Sequence, residues 1–501
     1  MKKISILFLS LFVLAACSKD DDNGTNTEKE VEKSDAKEIT AFSFLAADNE
    51  TLSEDIQASI DKEAKTITVT LPFGTEVTAL KPTITVSDKA IVDLGDSEIK
   101  DFTEAVVYTV TAEDGSEAIY TVTLSTNSPT ERQVLISLYN ANPNNTLGWN
   151  LDDDIADWDE VKVENGVVTT LWLTEKGLEV LPKEIENLTN LTSLYLSENL
   201  LTSLPSEIGN LTNLENLYLR ETGLTALPVE IGNLTNLIRL ELEENSLTSL
   251  PVEIGNLANL QFLDLKRNSL ESIPLELGGL TKLETLYLDR NSLTSIPETM
   301  GNLTNLTSLY LGQNSFESFP LVIGDITNLK VLSLVGLYFE SLPNEIGNLA
   351  DLEILNLEFN SLTSVPLVLG NLSNLYDLNL RSNALTDLSG LFSFTNLRIL
   401  YLYDNPLTSL PAEIGNLSNL QELLLQDCLL TSVPKELGNL TNLRELWLWD
   451  NSLTSLPSEI GNLTNLDAFW IGGNPLSTIP KEICDLNIAD FRKPTTAVCE
   501  E

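Results

Sequence analysis

The sequence predicts an α/β-type solenoid whose parallel sheet lines a concave face, preceded by a small antiparallel β-sandwich. Two observations carry that. A 23-residue unit, cleanest at 191–213 as L-T-S-L-Y-L-S-E-N-L-L-T-S-L-P-S-E-I-G-N-L-T-N, recurs from 168 to 480, the mark of a repeat array rather than one globular core. Ahead of it, residues 39 to 125 switch to a period of two in Val, Ile, Thr and Tyr, the composition and alternation of strands.

Fourteen copies start at Val168 and then at Leu191, Leu214, Leu237, Leu260, Leu283, Leu306, Leu329, Leu352, Leu375, Leu397, Leu420, Leu443 and Leu466. In L-x-x-L-x-L the second and third leucines, Leu194 and Leu196 in the second copy, are two apart, so a strand turns both inward and Ser193, Tyr195 and Ser197 outward. Asparagine closes the strand at Asn199, Asn245, Asn268, Asn291, Asn314, Asn360, Asn383, Asn405, Asn451 and Asn474. Its amide both donates and accepts, so stacked copies satisfy turn backbone that no sheet ladder reaches. Leucine, usually proline (Pro205) and E-I-G-N-L then return the chain along the outer side, Gly209 suiting a left-handed or tight backbone position. The aliphatic side chains of one unit do not offset the entropy of ordering its backbone. Stability therefore comes from neighbours, and both ends need caps.

The pattern L-x-x-L-x-L-x-x-N-x-L-x-x-L-P resembles the leucine-rich repeat family over more than 300 of 501 residues. Departures fall at the asparagine position: Lys176, Thr222, Cys428 with a thiol that still bonds weakly to backbone, and Leu337, which cannot hydrogen-bond and marks a local irregularity. The copy at Leu375 is one residue short and has Leu388-Ser389-Gly390 in place of the proline, resembling the repeats of internalin-like adhesins.

In chain order, residues 1–16 carry Lys2 and Lys3, an apolar run from Ile4 to Val13 and Leu14-Ala15-Ala16 before Cys17. The run is too short for a membrane span and reads as a cleaved secretory signal. L-A-A-C resembles the bacterial lipoprotein box, which implies a lipid on Cys17 and attachment to a membrane. Ser18-Lys19-Asp20-Asp21-Asp22 resembles the acidic signal that sends some Gram-negative lipoproteins to the outer face of the outer membrane, the periplasmic leaflet being the alternative. Residues 17–38 are polar and charged, as a tether requires.

Residues 39–126, with a hairpin signal at Asp114-Gly115, resemble the Ig-like or cadherin-like spacers of such lipoproteins and hold no acid pair or nucleophile cluster. In 127–167, Ser128-Pro129-Thr130-Glu131 places Ser128 at the N-cap of a helix running to Tyr139. Val134, Leu135 and Leu138, with Trp149 and Trp158, would cover the first repeat in the manner of a leucine-rich repeat amino-terminal cap. Asp152, Asp153, Asp154 and Asp157 lack the alternating spacing that wraps calcium, so no metal is expected. After the repeats of 168–480, residues 481–501 begin a fifteenth return path that reaches no new strand, and Phe491 to Glu501 close the core. Cys484 and Cys499 enclose a loop whose cross-linking stabilises by roughly 3 kcal/mol, and in an exported protein a disulfide is the favoured state.

The chain has no histidine, which removes the commonest general base, the Ser-His-Asp and Cys-His arrangements and most zinc sites. The single glycine of I-G-N-L is structural and not a phosphate cradle. A net charge of −45 repels nucleic acid. Neither an enzyme nor a cofactor is expected.

Function then lies where the repeat leaves the residue free. The outward column between the paired leucines reads Trp172, Tyr195, Tyr218, Glu241, Asp264, Tyr287, Tyr310, Ser333, Asn356, Asn379, Tyr401, Leu424, Trp447 and Trp470, eight of the fourteen being aromatic. Rigid aromatic surface is enriched at binding hot spots, whereas stacking between strands is the structural alternative. Tyr403 and Trp449 form a second row, with Arg398 and Arg444 near Tyr401 and Trp447. Fourteen strands at ~4.8 Å make a face on the order of 65 Å long, suited to a protein or an extended polymer. The leading expectation is a surface-anchored adhesion or recognition module that binds a protein ligand, chiefly through Tyr401, Tyr403, Arg398, Arg444, Trp447, Trp449 and Trp470 and also Tyr287 and Tyr310. The alternative is a glycan-binding lipoprotein serving polysaccharide capture.

Overall fold

The computed structural model describes residues 31–93 and 98–501. The signal segment, Cys17 and the acidic run at 18–22 lie outside the described residues. The chain divides into two compact units between Ser128 and Pro129.

In the first unit, five strands lie in the spatial order Ser59–Asp61, Thr66–Leu71, Glu117–Thr126, Val106–Thr111, Ile91–Val92, and three in the order Ile56–Gln57, Ile39–Phe44, Pro82–Val86. Alternation explains the burial: Ile67, Val69 and Leu71 are buried while the threonines between them are exposed, as a pleated strand with one wet face requires. Phe42, Phe44, Tyr108 and Tyr120 fill the shared core. Pairing is antiparallel except between Thr66–Leu71 and Glu117–Thr126, which run parallel. The hairpin at Asp114-Gly115 forms, with Gly115 at φ +85°. The last residues of the expected tether, 34–38, make contacts within the folded unit. Ser34 donates its N–H to Glu113 (3.1 Å), Lys37 reaches Ser116 (2.7 Å) and Glu38 pairs with Lys62 (2.7 Å), so residues from Ser34 on belong to the folded unit.

In the second unit a curved sheet of sixteen strands carries the fourteen repeats. After the six-residue strand Val167–Trp172 of the first repeat, each repeat strand is three residues long, as in Ser193–Tyr195, and pairs in parallel with its neighbour leucine to leucine, Leu194 to Leu217 and onward. The inward leucines, Leu194 and Leu196 among them, have 0 % exposure. The return path is a single 3-10 turn, as at Ser206–Asn210, entered through Pro205.

The asparagine ladder forms as its chemistry demands. Asn268 donates to Leu242 O (2.8 Å) and Leu265 O (3.1 Å) and accepts the Leu247 N–H (3.0 Å). Where asparagine is missing, the replacement does part of the work. Thr222 donates to Asn245 (2.8 Å), and the Cys428 thiol lies 3.6 Å from Leu402 O and Gln426 O. Burial pushes that thiol up to about 11, with Asp404 and Asp427 adding to the effect, which keeps it protonated and inert. At Leu337 nothing replaces the amide, and the turn is irregular: Gly336 and Tyr338 both adopt positive φ.

Three backbone features differ from the sequence reading. The left-handed residue is not the glycine of I-G-N-L but the one before the ladder position, such as Glu198, Glu244 or Asp450. Gly209 is required by close approach instead, since a Cβ there would meet Glu230 O at 2.5 Å. A second asparagine series, that of T-N-L, ties the other end of most strands: Asn236 donates to Thr212 O (2.9 Å) and Asn259 to Thr235 O (2.8 Å).

Both caps depart from expectation in detail. The helix is Glu131–Ala141 with Thr130 as N-cap in a reciprocal box with Gln133. Ser128 and Pro129 precede it, because the later Thr-x-x-Gln offers the same pairing two residues closer to the apolar residues. Glu131 is thereby released to accept the N–H of Val168 (2.9 Å) in the first repeat. Trp149 and Trp158 stack at 4.4 Å over the repeat core. At the far end a fifteenth strand does form: Asp490–Arg492 pairs with Ala468–Trp470, Phe491 lies parallel to Phe469 at 5.5 Å, and Cys484 is bonded to Cys499.

Candidate ligand-binding face

Because the leucines of each strand point inward, the residue between them and those two positions before and after form three outward columns along the sheet. In the middle column the aromatics pair face to face: Tyr195 with Tyr218 (4.3 Å), Tyr287 with Tyr310 (4.3 Å) and Trp447 with Trp470 (4.1 Å). These rings are half-buried and Leu424 is buried, so cross-strand stacking accounts for part of the column.

The C-terminal cluster is closed on one side. Arg492 lies 3.8 Å over Trp470, whose indole donates to Asp490 (2.9 Å). Trp447 and Trp449 are open in a different sense: both indole N–H groups are shielded from solvent and have no partner among the described residues. Tyr401 donates its hydroxyl to Glu422 (3.0 Å) and meets Tyr403 edge-on at 6.4 Å, while Arg381 lies 4.7 Å from the Tyr403 ring.

Arg398 and Arg444 line separate polar grooves instead. Arg398, 5.9 Å from Tyr376, shares a groove of about 600 Å³ with Asn396, Asn419 and Gln421. Arg444 pairs with Asp467 at 2.8 Å beside the next groove. They do not join the tryptophans.

Tyr287 and Tyr310 border a hollow of about 280 Å³ with Lys266, Asp289, Arg290 and Gly312. Carboxylates here are held out of water. Burial pushes Asp289 up to about 6, opposed by the Gly312 N–H it accepts. Burial also pushes Asp264 up to about 6, the Lys266 N–H pulling it down and Glu243 and Glu241 reinforcing the rise. Among the described residues no group of His, Cys, Asp or Glu could hold a metal ion.

Residues 239–334 and 379–486 match a family described as Leucine-rich repeat region, and 190–211 match Leucine Rich Repeat. A leucine-rich repeat protein of Leptospira interrogans is 36 % identical, with 64 % of this chain and 93 % of that one aligned at a TM-score of 0.54. The chain belongs to the leucine-rich repeat family. An internalin of Listeria monocytogenes is 27 % identical over 61 % of this chain and 90 % of that one, at a TM-score of 0.53. Residues 39–124 match a family described as SGBP, N-terminal. Among curated proteins the search finds no match.

Sequence reasoning missed two exposed aromatics of this leucine-rich repeat array. Tyr338 is 77 % exposed and Phe359 46 %. They sit in turns, outside the strand columns, and only their bulk at polar positions of the repeat could have marked them.

Proposed function

We propose that this protein captures neutral glycan at a cell surface, with the leucine-rich repeat wall as the main receptor. The observation that carries this is the union in one chain of a glycan-binding-protein-like N-terminal domain and a sheet bearing eight aromatic residues in one outward column. Aromatic faces accept the apolar face of a pyranose ring without needing charge, and a chain of net charge −45 disfavours anionic polymers. In this reading residues 39–126 do more than hold the array away from the membrane as an Ig-like spacer would. A lipid on Cys17, with the acidic run behind it, would set the array on the outer face of the outer membrane, where polysaccharide is met.

A protein ligand on the same wall is the second reading, supported by the likeness to an internalin and by the Tyr, Trp and Arg content of the face. Native-gel retardation of the full chain in a panel of neutral polysaccharides separates the two. Retardation that falls in Trp447→Ala and Trp449→Ala supports capture at the C-terminal cluster. No retardation by any polysaccharide, together with binding to a purified extracellular protein, favours the second.

A further inference from the structure

The eighth repeat breaks the pattern of the array in a way that builds a hollow. Its ladder residue is Leu337, and the positions around it are small: Ser333 lies beside Tyr310 in the next strand, and Gly312 and Gly336 present no side chain where most other repeats carry one. The Tyr310 ring is stacked on Tyr287 by one face. Both rings border a hollow of about 280 Å³ with Lys266, Asp289, Arg290 and Gly312, and among the described residues no ring or cation covers the other face of Tyr310. Among the described residues Arg290 makes no ion pair, unlike Arg220, Arg239, Arg267 and Arg381.

A second hollow of about 500 Å³ adjoins it, with Gln313 lining both. Its walls are Tyr338, Phe359, Asn360, Ser361 and Ser382, and no charged side chain lines it. Both rings are at φ near +60°, 59° for Tyr338 and 55° for Phe359, a region that bulky residues enter at a cost. Phe359 occupies the regular left-handed position of its repeat, where the other copies carry Glu, Arg, Gln, Ser, Asp or Gly. Tyr338 is an extra left-handed residue with most of its surface in water. Arg381 lies 5.0 Å from the Phe359 ring. Folding alone gives no reason to hold two aromatics in strained, wet turns on either side of a hollow.

We infer that the paired hollows of the eighth repeat are adjacent subsites for a neutral pyranose chain. One ring sits in the first hollow against Tyr287 and Tyr310, its hydroxyls donating to Asp289 and accepting from Arg290. The next lies between Tyr338 and Phe359, with the Gln313 amide and the Ser361 hydroxyl serving its rim. Neutral sugar fits because the second hollow offers apolar faces and uncharged donors and acceptors, and the first offers both a carboxylate and a guanidinium.

This rests on the glycan-capture reading, and one experiment distinguishes the two. The full chain is run on native gels containing β-glucan, xylan, galactomannan, α-glucan or, as an acidic comparison, polygalacturonate. Tyr310→Ala and the double variant Tyr338→Asn/Phe359→Asn are run beside it. Asparagine tolerates left-handed backbone, so the double variant should keep its melting temperature. The expected result is retardation by a neutral polymer, weakened about tenfold or more in each variant, the loss of a hot-spot contact. Unchanged affinity in the double variant, with loss in Trp447→Ala, would overturn the subsites and leave glycan capture standing. Retardation only by polygalacturonate would overturn the neutral class. No retardation by any polymer would overturn both.

Discussion

At the scale of single residues, two asparagines nine residues apart do very different amounts of work. Asn268 sits inside its turn with its amide committed to Leu242 O, Leu265 O and the Leu247 N–H, whereas Asn259 makes only exposed bonds, donating to Thr235 O and accepting from Lys282 Nζ. Truncating the first leaves buried backbone groups without partners, at ~1–3 kcal/mol for such groups. Asn268→Ala should therefore lower stability by about 2 kcal/mol in urea unfolding, and Asn259→Ala by about 0.5 kcal/mol or less. Equal losses would show that the ladder is not what holds the turn. The carboxylates of the wall give the opposite kind of test. Burial raises Asp264 and Asp377 to about 6, Glu243 and Glu422 respectively adding to the rise, while the unfolded value is about 3.9. A carboxylate raised by folding favours the folded state when protonated, so its stabilising effect is complete below about pH 4 and is lost as pH rises through about 6. Asp264→Asn and Asp377→Asn should each stabilise the protein at pH 7, on the order of 1–3 kcal/mol, with the advantage disappearing at pH 4. A gain that persists at pH 4 would mean that packing, not charge, is responsible.

At the scale of the repeated element, the outer turns are packed as closely as backbone allows. A Cβ on Gly232 would stand 2.5 Å from Glu253 O and 2.7 Å from Glu253 Cβ, while one on Gly301 meets Asp325 Cβ at 3.2 Å. The first contact involves backbone that cannot swing aside without separating two coils. Gly232→Ala should cost about 1–3 kcal/mol and Gly301→Ala distinctly less, as read from melting of the two variants; the reverse order would discount coil spacing as the constraint. This also marks how far the sequence could be read. The leucine spacing and the asparagine at its end made the strand, its register and the inward face legible, because periodicity reports burial directly. The glycine's task was not legible, since left-handed backbone and close approach select the same residue. The turn that Gly336 and Tyr338 form was legible only as an irregularity at Leu337, and the hollow beside it depends on what three neighbouring repeats lack, which a single repeat cannot express. Stacking partners across strands were visible as a column, yet how far Trp470 is enclosed by Arg492 required the cap to be in place.

At the scale of the whole array, each coil touches only the coils on either side, so the ends decide where unfolding begins. The amino-terminal end is closed by the helix Glu131–Ala141, the Trp149–Trp158 stack and the antiparallel strand Val161–Glu164. The other end has a four-residue helix, Lys481–Cys484, a three-residue strand, Asp490–Arg492, and the Cys484–Cys499 bond across a separation of 15 residues. Closing a loop of that length restrains the unfolded chain by about 3 kcal/mol, a large share of what one terminal coil can hold. Reduction should therefore release the cap locally. Hydrogen exchange after mild reduction is expected to speed up at Glu445–Trp447, Ala468–Trp470 and Asp490–Arg492 while Tyr287 and Tyr310 keep their protection, since stability varies along such a chain. The Trp447–Trp470 pair would loosen with it, because Arg492 and Asp490 hold Trp470 from the cap side. A ligand gripped by the C-terminal cluster would then bind more weakly after reduction, whereas one seated at the eighth repeat would not. If protection instead fell evenly from Val168 to Trp470, the array would be one cooperative unit and the cap's influence would not stop at its neighbours.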